Sequence, residues 1–442
     1  MLLIVLVLLF NIFLITNGLI SEIVSMPPLY LTVSALFKDS SIGSALIDRE
    51  IDIYWVDDSF DKIALFDSSP SEEIQPILQF NTKQYPERYV HTNITLGNPK
   101  FPGSWNYGSS EIPVSGDHCL HKWIAGIKNN TISYIDCIKI RPTWMQDNRL
   151  SIGNLAVTSL FLPGTHNSGC YKRGETLSQK DASGRYILTQ DQTIWNQLVY
   201  GIRYLDFRIG YYPSKKNVSE SDHSCFWINH DLIKVRPLVP VIQQLKEYLE
   251  KAKDEIVIID FHRFPLGFSG RIARHVQLVD YLELELKEYA ISYSNETLTL
   301  NDIWDTNKRL IISYGDKSIA REHEWLWPPI RQLWGNKQNL DKLYEYLEYC
   351  MSNETIRDPK KGMWAAMAQL TPGPLDLLFN PTGSLRHMAH IVNRNLTSWC
   401  RNNWWNKANI IAADFFLETD IINIAVASNI MKGNSPNHYL ID

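Results

Sequence analysis

Hydrophobic and polar positions alternate in three different ways along the chain. From Met1 to about Gly18 nearly every residue is Leu, Ile, Val or Phe, none is charged, and the first acid is Glu22. This length suits a signal-peptide core or a membrane helix. A cleaved signal peptide over residues 1–21 is expected, with an uncleaved anchor as the alternative because no Lys or Arg precedes the run. From about Pro27 to Pro142, short period-2 pieces (Tyr30 to Leu36, Glu50 to Val56, Thr131 to Ile140) are separated by Ser, Asp, Pro and Gly. That pattern predicts an all-β, sandwich-like module over residues 22–145. From Thr158 onward, strand-length apolar runs alternate with helical periodicity. Leu238, Val241, Ile242, Leu245 and Leu249 share one helical face, and Glu255 to Phe261 follows as a strand. Further strands are predicted at Arg309 to Tyr314, Met363 to Gln369 and Asn409 to Asp414, and helices at Leu340 to Met351 and Leu385 to Arg401. Such alternation predicts a mostly parallel sheet in an α/β domain over residues 146–442, of a length that suits a (β/α) barrel.

One stretch of this second region concentrates chemistry. Leu160-Phe161-Leu162-Pro163-Gly164-Thr165-His166-Asn167-Ser168-Gly169 is an apolar run that ends in Pro-Gly and delivers a histidine at a strand's C-terminal end. In Gly201-Ile202-Arg203-Tyr204-Leu205-Asp206-Phe207-Arg208, alternation turns Tyr204, Asp206 and Arg208 to one face. Phe226-Trp227-Ile228-Asn229-His230-Asp231 ends a third strand in a second histidine. Two histidines and an arginine suit attack on a phosphodiester. One imidazole takes a proton from the nucleophile, the other gives one to the leaving oxygen, and the guanidinium stabilises phosphoryl charge. Any one of these histidines taken alone reads more readily as a satisfied core or loop residue, and it is their combination that favours chemistry.

Composition narrows the setting. A net charge of -5 over 442 residues implies no nucleic-acid partner. The six cysteines (Cys119, Cys137, Cys170, Cys225, Cys350, Cys400) are an even count, as in an oxidising compartment, and none has the C-x-x-C spacing of a metal site. Connectivity is open from sequence. Order and domain position favour Cys119 with Cys137, Cys170 with Cys225, and Cys350 with Cys400, and buried free thiols are the alternative. N-x-S/T sequons begin at Asn93, Asn129, Asn217, Asn295, Asn353 and Asn395. With the leader they point to a secreted glycoprotein.

The segments GTHNSG, GIRYLDFR and NHDL, in this order and spacing, with EIVIIDFHRF and NIIAADFF downstream, resemble the X domain of phosphatidylinositol-specific phospholipase C, particularly the single-X-domain proteins of animals. The resemblance covers about Thr158 to Asn429. It implies a distorted TIM barrel and an enzyme that cleaves phosphatidylinositol, or the inositol phosphodiester of GPI anchors, at a membrane surface. By the same resemblance His166 matches the general base that deprotonates the inositol 2-hydroxyl. His230 matches the general acid, Asp414 the carboxylate that orients the base, and Asp206 an acidic residue beside the substrate hydroxyl. Arg208 stands where calcium-dependent members carry an acidic metal ligand, so the resemblance implies a site with no metal or other cofactor, calcium being the alternative. Asn167 departs from the bacterial pattern, which has an aspartate paired with the acid histidine. An amide there could still bond His230 but would stabilise its cation less.

Asp260 and Arg263 are candidate substrate-binding residues, with Asp260 and His262 predicted on one strand face and Arg263 on the other or in the following loop; that Asp260 caps a loop or pairs with a structural arginine is the alternative. His387 and His390 lie three apart on a helix and read as surface residues, not a metal pair. Trp325, Leu326, Trp327, Trp334, Leu266 and Phe268 are candidates for a membrane-contacting rim, with core packing as the alternative. The rival readings are a non-catalytic inositol-lipid or glycan binder that keeps the barrel, and a glycerophosphodiester-type barrel enzyme. The latter needs a Glu-rich metal site that this sequence lacks. Sequence says nothing of the oligomeric state.

Overall fold

The computed structural model describes residues 25–435 except 40–43, 48, 72, 172–175, 179–184, 214–222, 295–296 and 374–382. The expected signal peptide and the sequons at Asn217 and Asn295 lie outside the described residues. Among the described residues no helix is long and apolar enough to cross a membrane.

The N-terminal region contains seven principal strands: β1 (Leu29–Val33), β2 (Glu50–Trp55), β3 (Lys62–Phe66), β4 (Leu78–Asn81), β5 (Tyr89–Thr95), β6 (His118–Lys128) and β7 (Thr131–Ile140). They form two antiparallel sheets, ordered β1-β2-β5 and β4-β3-β6-β7. Leu29, Ile51, Ile53, Ile63, Leu65 and Ile124 are buried between them, in a core that runs on without a break into the second region. One disulfide joins Cys119 of β6 to Cys137 of β7.

The other two expected disulfides do not form, because Cys170, Cys350 and Cys400 are buried thiols. The Cys170 thiol points to the Asn229 carbonyl at 3.8 Å. Cys350 is engaged by Tyr346 on its own helix, and burial pushes the Cys350 and Cys400 thiols up. Apolar packing has taken the place of a covalent tie. Alkylation of denatured, unreduced protein is therefore expected to label Cys170, Cys350 and Cys400 and to spare Cys119 and Cys137. Peptide mapping that finds Cys350 joined to Cys400 would contradict it.

The second region is mixed α/β. Its strands are β8 (Leu162–Thr165), β9 (Tyr204–Tyr211), β10 (Phe226–His230), β11 (Ile233–Pro237), β12 (Val257–Leu266), β13 (Leu310–Tyr314), β14 (Arg331–Leu333), β15 (Trp364–Met367) and β16 (Ile410–Ala413). Parallel ladders join β14-β15-β16-β8-β9-β12-β13, so the last strand pairs with the first as the chain order wraps round. Among the described residues no ladder joins β13 to β14. A single bridge, Ser313 to Trp327, stands there instead, so the ring of strands is not closed. Helices α1 (Ile194–Tyr200), α2 (Val239–Lys251), α3 (Ile272–Leu286), α4 (Leu340–Ser352), α5 (Leu385–Trp399) and α6 (Ile421–Gly433) flank it. The predicted face of α2 is buried as a unit: Val241, Ile242, Leu245 and Leu249 are fully covered.

β10 differs from the expected arrangement. It runs antiparallel to β9 and forms a hairpin with β11, so it belongs to an appendage and not to the parallel series. The reversal matters for chemistry. Ile209 faces Ile228, and continuing that register carries His230 back to the level of Phe207, beside Arg208. The glycines of the GTHNSG segment make these strands fit. A Cβ on Gly164 would lie 2.7 Å from the Tyr204 ring, and one on Gly169 would lie 2.8 Å from Ile228.

Most of the expected rim is interior. Trp325, Leu326 and Phe268 are buried, and Trp327 is half-buried with its indole N–H given to the Ile291 carbonyl. Trp334 alone among those tryptophans is exposed, at 44%. The bridge that stands in for the missing ladder explains this, since Trp327 and its neighbours plug the gap in the sheet.

Candidate active site

Six strands, β8, β9, β10, β12, β14 and β16, deliver side chains from within or just after them to one cavity of about 540 Å3, with His166, Arg208, His230, His262, Arg263, Gln332, Trp334 and Asp414 among its lining residues. His166 immediately follows β8, and Asp414 immediately follows the neighbouring β16. Adjacent parallel strands that stop at the same level leave these two side chains in contact: His166 Nδ1 lies 2.8 Å from Asp414 Oδ1. Arg208, inside β9, places a guanidinium nitrogen 2.6 Å from His166 Nε2. A guanidinium can only donate. His166 Nε2 is therefore the acceptor of this pair, and Nδ1–H donates to Asp414. The imidazole is held in the tautomer that keeps its outward nitrogen basic. Gln190 pins this corner by donating to the carbonyls of His166 and Ala413.

Asp206 lies beneath the cavity, fully buried. It accepts from the Asn167 backbone N–H at 2.9 Å and from the Gln332 amide at 3.1 Å, and lies 3.5 Å from Arg208. Burial alone would push its carboxyl up. The Arg208 guanidinium, with His262 and His166, outweighs burial and holds it below the usual range. Asp260 is also fully buried and does not line the cavity, which sets it apart from the expected substrate contact. It accepts from Tyr204, Ser313 and Gln332. Burial and the Asp206 charge push it up to about 7, so the two carboxyls under the site differ in charge near neutrality.

His230 also lines the cavity, its Nδ1 2.6 Å from the Ile187 carbonyl. Burial lowers its pKa. The Ile187 carbonyl opposes that, while His166 and Arg208 add to it. The bond expected between Asn167 and His230 is absent, because the Ile187 carbonyl takes that place. Asn167 itself adopts a left-handed backbone (φ 43°), is fully buried, and neither polar atom of its amide has a hydrogen-bond partner. His262 and Arg263 both reach the cavity, contrary to the alternation expected of them. A bulge in the β9–β12 ladder brings Arg263 opposite Arg208 and breaks the period of two. Burial lowers the His262 pKa to about 4, with Asp206 opposing and Arg208 assisting.

Gln332 is the site residue that sequence reasoning missed. Its amide nitrogen lies 3.0 to 3.2 Å from oxygens of Tyr204, Asp206 and Asp260 and shares its two N–H groups among them. It sits on β14, a three-residue strand too short to carry a periodic signal. Tyr186, from a helical turn, and Gln369 and Thr371, from the loop after β15, also line the cavity.

The class so defined is an α/β protein whose strand ends assemble a carboxylate-oriented histidine, an arginine and a second histidine in a cavity fit for acid–base chemistry on an anion. No family model matches the chain. Among curated proteins, PI-PLC X domain-containing protein 1 of Homo sapiens is 24% identical over 327 residues, covering 68% of this chain and 96% of that protein. PI-PLC X domain-containing protein 2 of Mus musculus is 25% identical over 307 residues, covering 64% and 85%. The chain is similar to these PI-PLC X domain-containing proteins over most of their length. Among solved structures, a mutant phosphatidylinositol-specific phospholipase C from Staphylococcus aureus aligns with a TM-score of 0.49 at 15% identity, covering 65% of this chain and 97% of that one. The enzyme of the same name from Listeria monocytogenes aligns with a TM-score of 0.44 at 17% identity, covering 66% and 98%.

Proposed function

We propose that this chain is a secreted, glycosylated phosphoric diester hydrolase/lyase of phospholipase C type. Its substrate is phosphatidylinositol, or the inositol phosphodiester of a GPI anchor, met at a membrane surface. The observation that carries the reading is the Asp414–His166–Arg208 chain in the cavity. His166 Nε2 takes the proton of the inositol 2-hydroxyl, whose oxygen then attacks phosphorus. Asp414 stabilises the imidazolium that results. Arg208, now beside Nε2, transfers its hydrogen bonds to the phosphoryl oxygens, where it stabilises the added negative charge. His230 protonates the departing diacylglycerol oxygen and takes a proton from water when the cyclic phosphate opens. The surrounding scaffold reads as a distorted TIM barrel opened between β13 and β14.

No cofactor enters this scheme. Calcium, the alternative, fits poorly, because the Arg208 guanidinium lies between Asp206 and His166, where it already supplies positive charge. A second reading, a binder of inositol lipids or glycans that keeps the scaffold without turnover, draws support from the unpartnered Asn167 amide and from the lowered His230 pKa. Purified protein incubated with radiolabelled phosphatidylinositol and with a GPI-anchored protein separates the two. Activity is expected to persist in EGTA and to fall about 10²–10³-fold in Arg208→Ala, the loss typical of one preorganised charge donor. Strict calcium dependence would overturn the metal-free scheme. Inositol-lipid binding without release of diacylglycerol or cyclic inositol phosphate, under every metal condition, would leave the binder.

A further inference from the structure

A second cleft, of about 500 Å3, opens where the β1-β2-β5 sheet faces α5. Register builds one of its walls. Tyr30 pairs with Tyr54 and Tyr54 with Tyr89, so three tyrosines stand in a row across three strands. Their ring centroids are 5.1 and 4.9 Å apart. A guanidinium sits at each end of the row, Arg401 at 5.1 Å from the Tyr30 ring and Arg394 at 4.0 Å from the Tyr89 ring. A stack of aromatic rings presents its positive edges sideways, and the two cations add to that field.

The charges around this wall are largely committed, with two exceptions among the described residues, Arg394 and the exposed carboxylate of Glu87. Arg401 bonds the Pro27 carbonyl and faces Asp420, and His390 is paired with Glu418. Arg88 is paired with Asp58, and Asp52, behind the row, accepts from the Tyr89 hydroxyl and contacts His91. Arg394 has no ion pair among the described residues. The Tyr54 hydroxyl, on a residue only 9% exposed, has no hydrogen-bond partner, nor does Arg401 Nε. A buried hydroxyl without a partner is costly and is satisfied by an acceptor. The opposite wall offers Asn395, Ser398 and Asn402, which suit hydroxyl groups.

We propose that this cleft binds an anionic polyol, a hydroxyl-bearing ring or chain that carries a phosphate or sulfate. Arg394 pairs with the anion, the Tyr54 hydroxyl donates to it, and the amides and hydroxyl of the helix wall hold the polyol. The same chemistry is offered by an inositol phosphate and by a sulfated sugar. The site is independent of the phosphodiesterase reading, since it shares no residue with the first cavity.

Titration calorimetry on the full chain tests this, with the protein made in a host that adds no N-linked sugar, so that no glycan on the Asn395 sequon enters the cleft. The probes are inositol 1-phosphate, a sulfated disaccharide, unmodified inositol and inorganic sulfate. At least one of the first two is expected to bind, about tenfold more weakly in Arg394→Ala, and more weakly in Tyr54→Phe, than in the parent. Arg394→Lys, which keeps the charge but loses the fork, is expected to lie between. Arg208→Ala is expected to leave this binding unchanged, which separates it from the first cavity. Failure of both anionic polyols to bind overturns the proposal. So does affinity unchanged in Arg394→Ala, or lost in Arg208→Ala. Inorganic sulfate binding as tightly as either polyol overturns the polyol assignment.

Discussion

Replacing His166 by alanine is expected to lower turnover of phosphatidylinositol by about 10²–10⁴-fold, the range typical of a positioned acid–base group. His230→Ala is expected to fall in the same range, with circular dichroism and melting unchanged in both. The two groups act in one proton-transfer sequence, so the double variant should be little worse than the poorer single one. The pH profile separates their roles. His230 must carry a proton to act as the acid, and burial, with His166 and Arg208, holds its pKa below the ordinary imidazole value. The fraction able to donate is lost as pH rises through that lowered pKa. The falling limb of kcat/KM is therefore expected below about pH 6.5. Arg208 is one of the groups that depress His230, so in Arg208→Ala the limb should move to higher pH as well as lower rate. A limb that stays in place in Arg208→Ala would argue against His230 as the acid.

The largest effect on stability is expected at Arg203, three residues before Asp206 and absent from the catalytic cavity. Its side chain is fully buried and bonds the Glu255 carboxylate, with further bonds to the carbonyls of Leu198, Ile202, Arg141 and Pro142. The guanidinium lies between the rings of Trp144 and Tyr248, 5.6 and 5.4 Å from their centroids. It thereby ties the segment after β7 to the start of β9. Burial raises the Glu255 pKa to about 6, against the opposing pull of Arg203. Arg203→Met leaves that carboxyl with only the Gln146 N–H, and several carbonyls without their guanidinium donor, and is expected to cost about 3–5 kcal/mol, the range for breaking one side of a buried pair. Urea unfolding would measure it. Adding Glu255→Leu should recover part of the loss, because the uncompensated charge is then gone. If the double variant is as unstable as the sum of the two single ones, the carbonyl bonds and not the ion pair dominate.

Much of the site was legible in the chain because strand-end chemistry is local. His166 follows an apolar run and Pro-Gly, Asp414 ends the run Ile410–Ala413, and period-2 alternation put Asp206 and Arg208 on one face. Strand lengths and the face of α2 followed from burial of apolar residues at the periods of the two backbones. The antiparallel turn of β10 was not legible, because a strand's direction depends on its partner and leaves no trace in its own residues. The same holds for the bulge that turns both His262 and Arg263 into the cavity.

Sequence by itself determined which residues could do acid–base chemistry and that they sit at the ends of apolar strands in an α/β region, since residue type and periodicity are properties of single segments. Only the tertiary structure decided which of them meet. It joined Asp414 to His166 across 248 residues, sank Asp260 beneath the site, gave Gln332 its three partners, and left Cys170, Cys350 and Cys400 as thiols. Those outcomes depend on distances between segments remote in sequence and on how deeply each group is withdrawn from water, and packing alone sets both.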